Sequence, residues 1–254
     1  MMNFILNHVS DQKTLMHFLL SVSILMTALL LNCGKSALEP SAEVTGVKIN
    51  LFAKTVKSSN PTPGSVDSVK VLAASLVIGS VKLESAGVDS TQDFSSKRSQ
   101  IIDLNLQQLA VAVDTIEVPP GTYKEVEISI DKLEPGNPDE EPLIANRPEF
   151  SNASMIIQGL VFINGSDETF TFKTDLDRDM EIELAPFLTI LPTTGDTSPP
   201  GTRVAIVVDI GQWFVSDVGI WLDPREDANK SVIESNIQSS LEAFEDSNEN
   251  GIVD

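Results

Sequence analysis

From residue 46 to about residue 210, the chain consists of short runs in which apolar and polar residues alternate. These runs are rich in β-branched and aromatic residues, and clusters of Pro, Gly, Asn and Asp separate them. The pattern predicts an all-β protein made of short strands joined by turns. The predicted strands cover residues 47–54, 69–77, 80–84, 101–106, 112–118, 123–130, 155–163, 169–173, 180–184 and 204–210.

The alternation is regular enough in two runs to predict which side chains are buried. Val126, Ile128 and Ile130 alternate with polar residues, and the run at 169–173 places two Phe residues between polar ones. Successive side chains of a strand point to opposite faces, so each of these strands has one buried and one hydrated face. Such strands are typical of antiparallel sheets, and a parallel α/β fold is disfavoured because helical periodicity does not separate the strands.

The period changes after Pro224, where apolar residues recur every three to four positions. Ser231 and Glu234 have the spacing of a capping box, which marks the start of a helix. We therefore expect one C-terminal amphipathic helix that packs on the sandwich and ends near Glu245. Its apolar stripe consists of Ile233, Ile237, Leu241 and Phe244.

Near its start the chain has an uncharged, largely apolar run, residues 15–31, followed closely by Cys33. A short apolar run before a cleavage site is typical of a secretory signal peptide. A cysteine at the expected cut resembles the lipobox of bacterial lipoproteins, in which the thiol is lipidated. Asn32 before it resembles the relaxed lipobox of spirochaetes. The alternatives are a transmembrane anchor or an ordinary signal peptide, since the run is at the short end of a bilayer span.

This interpretation divides the chain into four parts. They are a lipoprotein signal peptide at 1–32, a tether at 33–45, a β-sandwich domain at 46–224, and the C-terminal helix with an acidic tail at 225–254. We expect the acyl chains on Cys33, palmitate among them, to insert into a lipid bilayer. The expected location is the cell envelope, at the outer membrane.

Charge and residue usage exclude several functions. The formal net charge is −20, which repels phosphate groups, so no nucleic acid partner is expected. The two histidines, His8 and His17, lie in the predicted leader, and Cys33 is the single cysteine. After cleavage the chain would lack both Ser-His-Asp and Cys-His machinery and the ligands that zinc prefers. Chemistry based on carboxylates alone remains possible in principle, as in glycosidases.

The run Ile-Glu-Val-Pro-Pro-Gly-Thr-Tyr at residues 116–123 predicts a tight turn between two strands. Pro120 sets the first corner, and Gly121 is expected to supply the positive φ of a type II turn. Tyr123 then enters the next strand, where we expect its ring to be buried.

Together with residues 102–106 and 69–81, this turn resembles the domain of unknown function 4382, a β-sandwich module of exported prokaryotic lipoproteins. The resemblance extends over roughly residues 46–133. It implies an antiparallel immunoglobulin-like or prealbumin-like sandwich, to which this chain adds its C-terminal amphipathic helix. It implies no catalytic residue.

The end of the chain carries oxygen-bearing residues at alternate positions, followed by Gly251. This spacing is typical of a calcium loop, in which a main-chain carbonyl occupies the seventh position. The candidate Ca²⁺ ligands are Asp246, Asn248, Asn250, Ile252 and Asp254. The alternative is an acidic tail that binds no ion, because two Asn replace Asp and the bidentate Glu at the twelfth position is lacking.

These observations favour a non-enzymatic envelope protein that binds another protein or a glycan, or that has a structural role. One alternative is a carboxylate-dependent glycan hydrolase using Asp175 and Asp179, which requires two carboxyls in one cleft and a raised pKa on one of them. Trp213 and Trp221 are expected in the core, with a sugar-stacking platform as the alternative. A calcium-stabilised surface protein is the third hypothesis.

Overall fold

The computed structural model describes residues 45–54, 61–87, 93–107, 111–191 and 203–246. These residues lie within one compact unit, Glu43–Asp254. The strands are β1 (Thr45–Lys54), β2 (Ser68–Ser85), β3 (Phe94–Asp103), β4 (Val111–Val118), β5 (Gly121–Ile130), β6 (Met155–Ile163), β7 (Ser166–Thr174), β8 (Arg178–Ile190), β9 (Arg203–Asp209) and β10 (Leu241–Glu245). The helices are α1 (Glu141–Asn146) and α2 (Lys230–Ser239), with short 3₁₀ turns at Pro148–Phe150, Ile210–Gln212 and Asp227–Asn229.

The strands form two sheets, as the sequence predicts for an all-β sandwich. One sheet has the order β10-β9-β1-β4, and the other has the order β7-β6-β2-β5-β8, with β3 paired to β2. Neighbouring strands are antiparallel except for β1 and β9, which run parallel. This parallel pair was not anticipated, since it joins segments more than 150 residues apart in the chain.

The inner faces of the two sheets share one hydrophobic core. In β5, Val126, Ile128 and Ile130 are buried on this face, which confirms the alternation predicted from the sequence. Val47 and Ile49 of β1 belong to the same core from the opposite sheet. Each fully buried aliphatic side chain contributes roughly 1.5–3 kcal/mol relative to exposure. The core therefore determines which face of β5, β7 and β8 points outwards.

The two sheets approach each other along both sides of the sandwich. On one side β8 lies alongside β10. On the other side β3 lies near β4, where the Gln100 side-chain amide donates a hydrogen bond of 2.7 Å to the carbonyl of Val113. Contacts between strands at the sheet edges therefore bring the two sheets together on both sides of the core.

The longest strand, β2, was predicted as two strands interrupted at Gly79. The structure shows one strand with an irregularity at this point, because the register shifts between Ile78 and Ser80 in the ladders with both β3 and β5. An extra residue of this kind bends a strand without ending it. The neighbouring strand, predicted at 101–106, lies earlier in the chain, at Phe94–Asp103.

The turn between β4 and β5 is held by Tyr123. Its ring is buried, as predicted, and its hydroxyl donates a hydrogen bond of 2.8 Å to the carbonyl of Pro119. The prediction that Gly121 supplies a positive φ is wrong, since its φ lies outside the left-handed region. Gly121 is instead the first residue of β5, and a Cβ atom added there would lie 3.6 Å from the Tyr123 ring, which is ordinary van der Waals distance.

The predicted C-terminal helix is shorter than expected. Ile233 and Ile237 are buried in the main core, which confirms that the helix packs on the sandwich. The helix ends at Ser239, and the segment that carries Leu241 and Phe244 forms β10, paired with β9. The spacing of these two residues suits a helix, but β9 offers an open edge with unpaired backbone groups, so pairing determines the outcome.

We expect Tyr123→Phe to lower the free energy of unfolding by about 1–2 kcal/mol, because the partly buried Pro119 carbonyl loses its donor while the ring stays in place. Urea unfolding of the full chain, followed by the fluorescence of the buried Trp213, measures this change. Thr122→Ala, at an exposed neighbouring position, is the control and should stay within about 0.5 kcal/mol. Equal midpoints for Tyr123→Phe and the unchanged chain would contradict the role of the hydroxyl.

Candidate functional site

The outer face of the larger sheet is covered with carboxylates. Because Val126, Ile128 and their counterparts in β2 and β8 point inwards, the polar residues between them point outwards. The strand register places Glu127 opposite Glu181 and Glu125 opposite Glu183. We call this surface the acidic face; it consists of Glu84, Glu125, Glu127, Asp179, Glu181 and Glu183.

Three residues of the acidic face lie close enough to hold a cation. One carboxylate oxygen from each of Glu125, Glu127 and Glu181 lies within 4.8 Å of the others. Burial raises the pKa of Glu125, and the negative charges of Glu84 and Glu181 raise this pKa further. Lys82 pairs with Glu127 at 3.2 Å and offsets part of the repulsion.

The acidic face borders a groove of about 840 Å³, and Glu127 and Asp179 belong to both surfaces. Strands β2, β3, β5 and β8 form its floor and one wall, and the connection from β5 to α1 forms the other wall. We call this cavity the groove. Its lining residues are Gly79, Ser80, Lys97, Arg98, Ser99, Glu127, Ser129, Asp131, Asn137, Asp139, Glu140, Pro142, Leu143 and Asp179.

A small hydrophobic cluster fixes the outer wall of the groove. Leu133 and Phe150 are fully buried against Val77 and Ile156, on the outer side of the larger sheet, and Leu143 of α1 packs against the same cluster. The acidic connection at 131–142 is therefore solvated only in part. Its acidic residues border the groove, whereas Leu133 attaches it to the sheet.

The floor of the groove depends on Gly79. A Cβ atom at this position would lie 1.8 Å from Oδ2 of Asp131, so only glycine allows this carboxylate to lie against the strand. The Ser129 hydroxyl donates a hydrogen bond to the other oxygen, Oδ1. Asp131 is therefore held in one position at the bend of β2.

The groove also carries positive charge. Lys97 and Arg98 of β3 are exposed and, among the described residues, form no ion pair. Several other basic side chains among the described residues form ion pairs, as Arg225 does with Asp223 at 2.6 Å. The groove thus has unpaired cations on one side and carboxylates on the other.

The predicted calcium ligands are only partly within the described residues. Asn248, Asn250, Ile252 and Asp254 lie outside them, as does Cys33. Asp246 follows β10 directly, is 1% exposed, and donates its backbone N–H to the Arg203 carbonyl at 3.0 Å. The calcium loop therefore stays a prediction.

The structure does not bring Asp175 and Asp179 into one cleft. Asp179 lines the groove, whereas Asp175 lies outside it and pairs with Lys230 at 3.1 Å. The hydrogen bond from Lys230 lowers the pKa of Asp175, which is the opposite of what a general acid needs. These two residues therefore lack the arrangement of a glycosidase pair.

The two tryptophans do not form a joint platform for a sugar. Trp213 is fully buried, as predicted, and its indole N–H donates to the Ser240 hydroxyl at 2.9 Å. Trp221 is half-buried and borders a separate small pocket of about 200 Å³. The groove itself has no aromatic residue among those that line it.

Of the residues that line the groove, Asp179 was identified from the sequence as a candidate functional carboxylate. The cations Lys97 and Arg98 were missed because β3 was predicted several residues too late in the chain. The sequence does contain one signal for this groove, which is Gly79 between two apolar strand segments. A glycine in that position often marks a β-bulge or a close approach of another group to the backbone.

Comparison with known proteins adds no further information about this site. No protein-family model, curated protein or solved structure matches the chain. Among the described residues, neither helix has the length and apolar character needed to cross a bilayer. Any function must therefore be argued from the groove and the sequence.

We expect Glu125→Gln to stabilise the protein at pH 7, by less than about 1 kcal/mol because the group is partly exposed. The folded-state pKa of Glu125 is raised, so the ionised carboxylate destabilises the folded state above that pKa, whereas the protonated carboxyl does not. The gain should shrink as the pH falls and vanish below about pH 4. Thermal melts between pH 4 and pH 8 measure this dependence.

Asp217→Asn is the control for this experiment, since it removes one negative charge from an exposed position away from the acidic face. It should give little change at any pH. If Glu125→Gln and Asp217→Asn shift the melting temperature equally at pH 7, the effect reflects total charge rather than the local environment of Glu125.

Proposed function

We propose that this chain is a lipid-anchored, non-enzymatic binding protein of the cell envelope, held at the outer membrane by acyl chains on Cys33. The observation that carries the binding function is the groove, which is open, preformed and lined by unpaired charges of both signs. Its volume is within the range of about 300–1,000 Å³ that is usual for ligand sites.

The anchor rests on the sequence. The uncharged run at 15–31 and the position of Cys33 support lipidation at the start of the mature chain. The residues that follow Cys33, up to the start of β1, are mostly small and polar, which suits a tether between a membrane and a folded domain.

Binding is favoured over hydrolysis by the chemistry of the groove. A carboxylate-dependent glycosidase needs a carboxyl with a raised pKa beside an ionised one in the same cleft. Among the described residues, Glu125 is the carboxyl whose pKa is raised, and it belongs to the acidic face without lining the groove. The groove offers acceptors, hydroxyls and cations that can hold a polar ligand.

We further propose that the sandwich is of the immunoglobulin-like or prealbumin-like type and related to the domain of unknown function 4382. The hydrogen bond from the buried Tyr123 to the Pro119 carbonyl supports this, because a tyrosine that bonds to the backbone just upstream recurs at corners of immunoglobulin-like sandwiches.

Cys33→Ala should release the protein from the membrane fraction, since the acylated thiol is the proposed anchor. Mass spectrometry of the unchanged protein should find an N-terminal peptide that begins with acylated Cys33. Ser36→Ala, three residues further on, is the control and should leave the protein in the membrane. Membrane association of Cys33→Ala, or an intact leader on the unchanged protein, would contradict the proposal.

Calcium stabilisation is the second candidate function. It is favoured by the approach of Glu125, Glu127 and Glu181 within 4.8 Å, in addition to the predicted loop that begins at Asp246. Oxygen ligands of this kind suit Ca²⁺. The competing observation is the ion pair of Glu127 with Lys82, which already supplies positive charge.

If calcium binds, the melting temperature should be several degrees higher with Ca²⁺ than with EDTA. Loss of this difference in Glu181→Gln places the ion on the acidic face, and its loss in Asp246→Ala places it in the C-terminal loop. Asp217→Asn should keep the difference. Identical melts with Ca²⁺ and with EDTA would contradict both sites.

A further inference from the structure

We propose that the groove binds an extended peptide segment of a partner protein that carries basic side chains at one end and acidic side chains at the other. This inference deepens the proposed binding function and rests on it. The segment would place its basic side chains against the carboxylates of the groove and its acidic side chains against Lys97 and Arg98.

The irregularity at Gly79 creates the cationic side of the groove. In the ladder between β2 and β3, Ile78 pairs with Gln100 and Ser80 pairs with Lys97, so Arg98 and Ser99 stand opposite Gly79 alone. A bulge of this kind redirects side chains, and both Lys97 and Arg98 come to line the groove. Their charges are available because, within the described residues, neither forms an ion pair.

The opposite side of the groove offers fixed and exposed acceptors. Asp131 is held by Ser129 and by its contact with Gly79. Asp139 and Asp179 are exposed and, in the described part of the chain, take part in no ion pair. Because these carboxylates do not reach the cations across the groove, a ligand with both charges can satisfy both sides at once.

The lining of the groove favours a peptide over a sugar. Sugars are commonly held by stacking on aromatic rings, and the non-polar lining residues here are Gly79, Pro142 and Leu143. The lining has two basic and five acidic side chains, so the basic side chains of the ligand should outnumber its acidic ones. The volume of about 840 Å³ suits a short segment rather than a whole domain.

The test uses the full chain in a non-ionic detergent and fluorescence anisotropy with labelled synthetic peptides at about 0.15 M salt, where general attraction to the net charge is screened. The mixed peptide has a block of lysines followed by a shorter block of glutamates in a Gly-Ser background. An all-lysine peptide of equal length measures attraction to the net negative charge alone. The mixed peptide should bind about tenfold more tightly than the all-lysine peptide.

Charge reversal in the groove separates specific binding from general attraction. Arg98→Glu and Lys97→Glu should each weaken binding of the mixed peptide about tenfold and strengthen binding of the all-lysine peptide. Lys70→Glu, at an exposed position outside the groove, makes the same change in net charge and should leave the preference for the mixed peptide intact. The substituted positions are exposed, and the urea midpoints should be unchanged.

Four outcomes would overturn the inference. Equal binding of both peptides would show that they bind by general electrostatic attraction. Equal effects of Lys97→Glu and Lys70→Glu on binding of the mixed peptide would show the same. Binding of a uronic-acid oligosaccharide, lost in Arg98→Glu, without binding of the mixed peptide would replace the peptide by a glycan and leave the proposed binding function standing. Binding of neither probe would exclude the groove as a binding site. The membrane fractionation of Cys33→Ala tests the lipid anchor separately.

Discussion

The burial of one face of each strand in the core between the sheets determines the rest of the structure. Once Val126, Ile128 and Ile130 point inwards, the period of two forces Glu125 and Glu127 outwards, and the same constraint applies to β8. The acidic face is therefore a consequence of the core, and it follows the register of β2, β5 and β8. A slip of one residue would bury carboxylates and expose the aliphatic side chains.

Such a surface has an electrostatic cost, which the structure reduces locally. Lys82 and Lys124 pair with Glu127 and Glu84, so part of the repulsion on the acidic face is offset. Glu125 is the exception, because burial and two neighbouring carboxylates act against its charge. Exposed ion pairs contribute little to stability, so the core must supply the net free energy of folding. The charge pattern is more informative about binding than about stability.

The local hydrophobic pattern was sufficient to predict strands that have one buried face. It failed where pairing between distant segments of the chain determines the secondary structure. The strand at 155–163 agrees with the predicted bounds because a near-continuous apolar run lies between clusters of turn-forming residues. Residues 241–245 fit a helical stripe and a strand almost equally, and only the free edge of β9 selects the strand. Gly121 shows the same limit, since Tyr123 anchors the turn to Pro119 without a left-handed residue.

The sequence by itself determined the all-β class, most strands, the buried side of β5 and the strong negative charge, because these depend on composition and on a period of two. It also indicated the leader and Cys33, which are local motifs. Only the tertiary structure decided the parallel pairing of β1 with β9, the strand β10 and the groove. The groove brings together Gly79, Lys97 and Arg98, Asp131 and Asp179, whose proximity follows from strand register, which no local window of sequence contains.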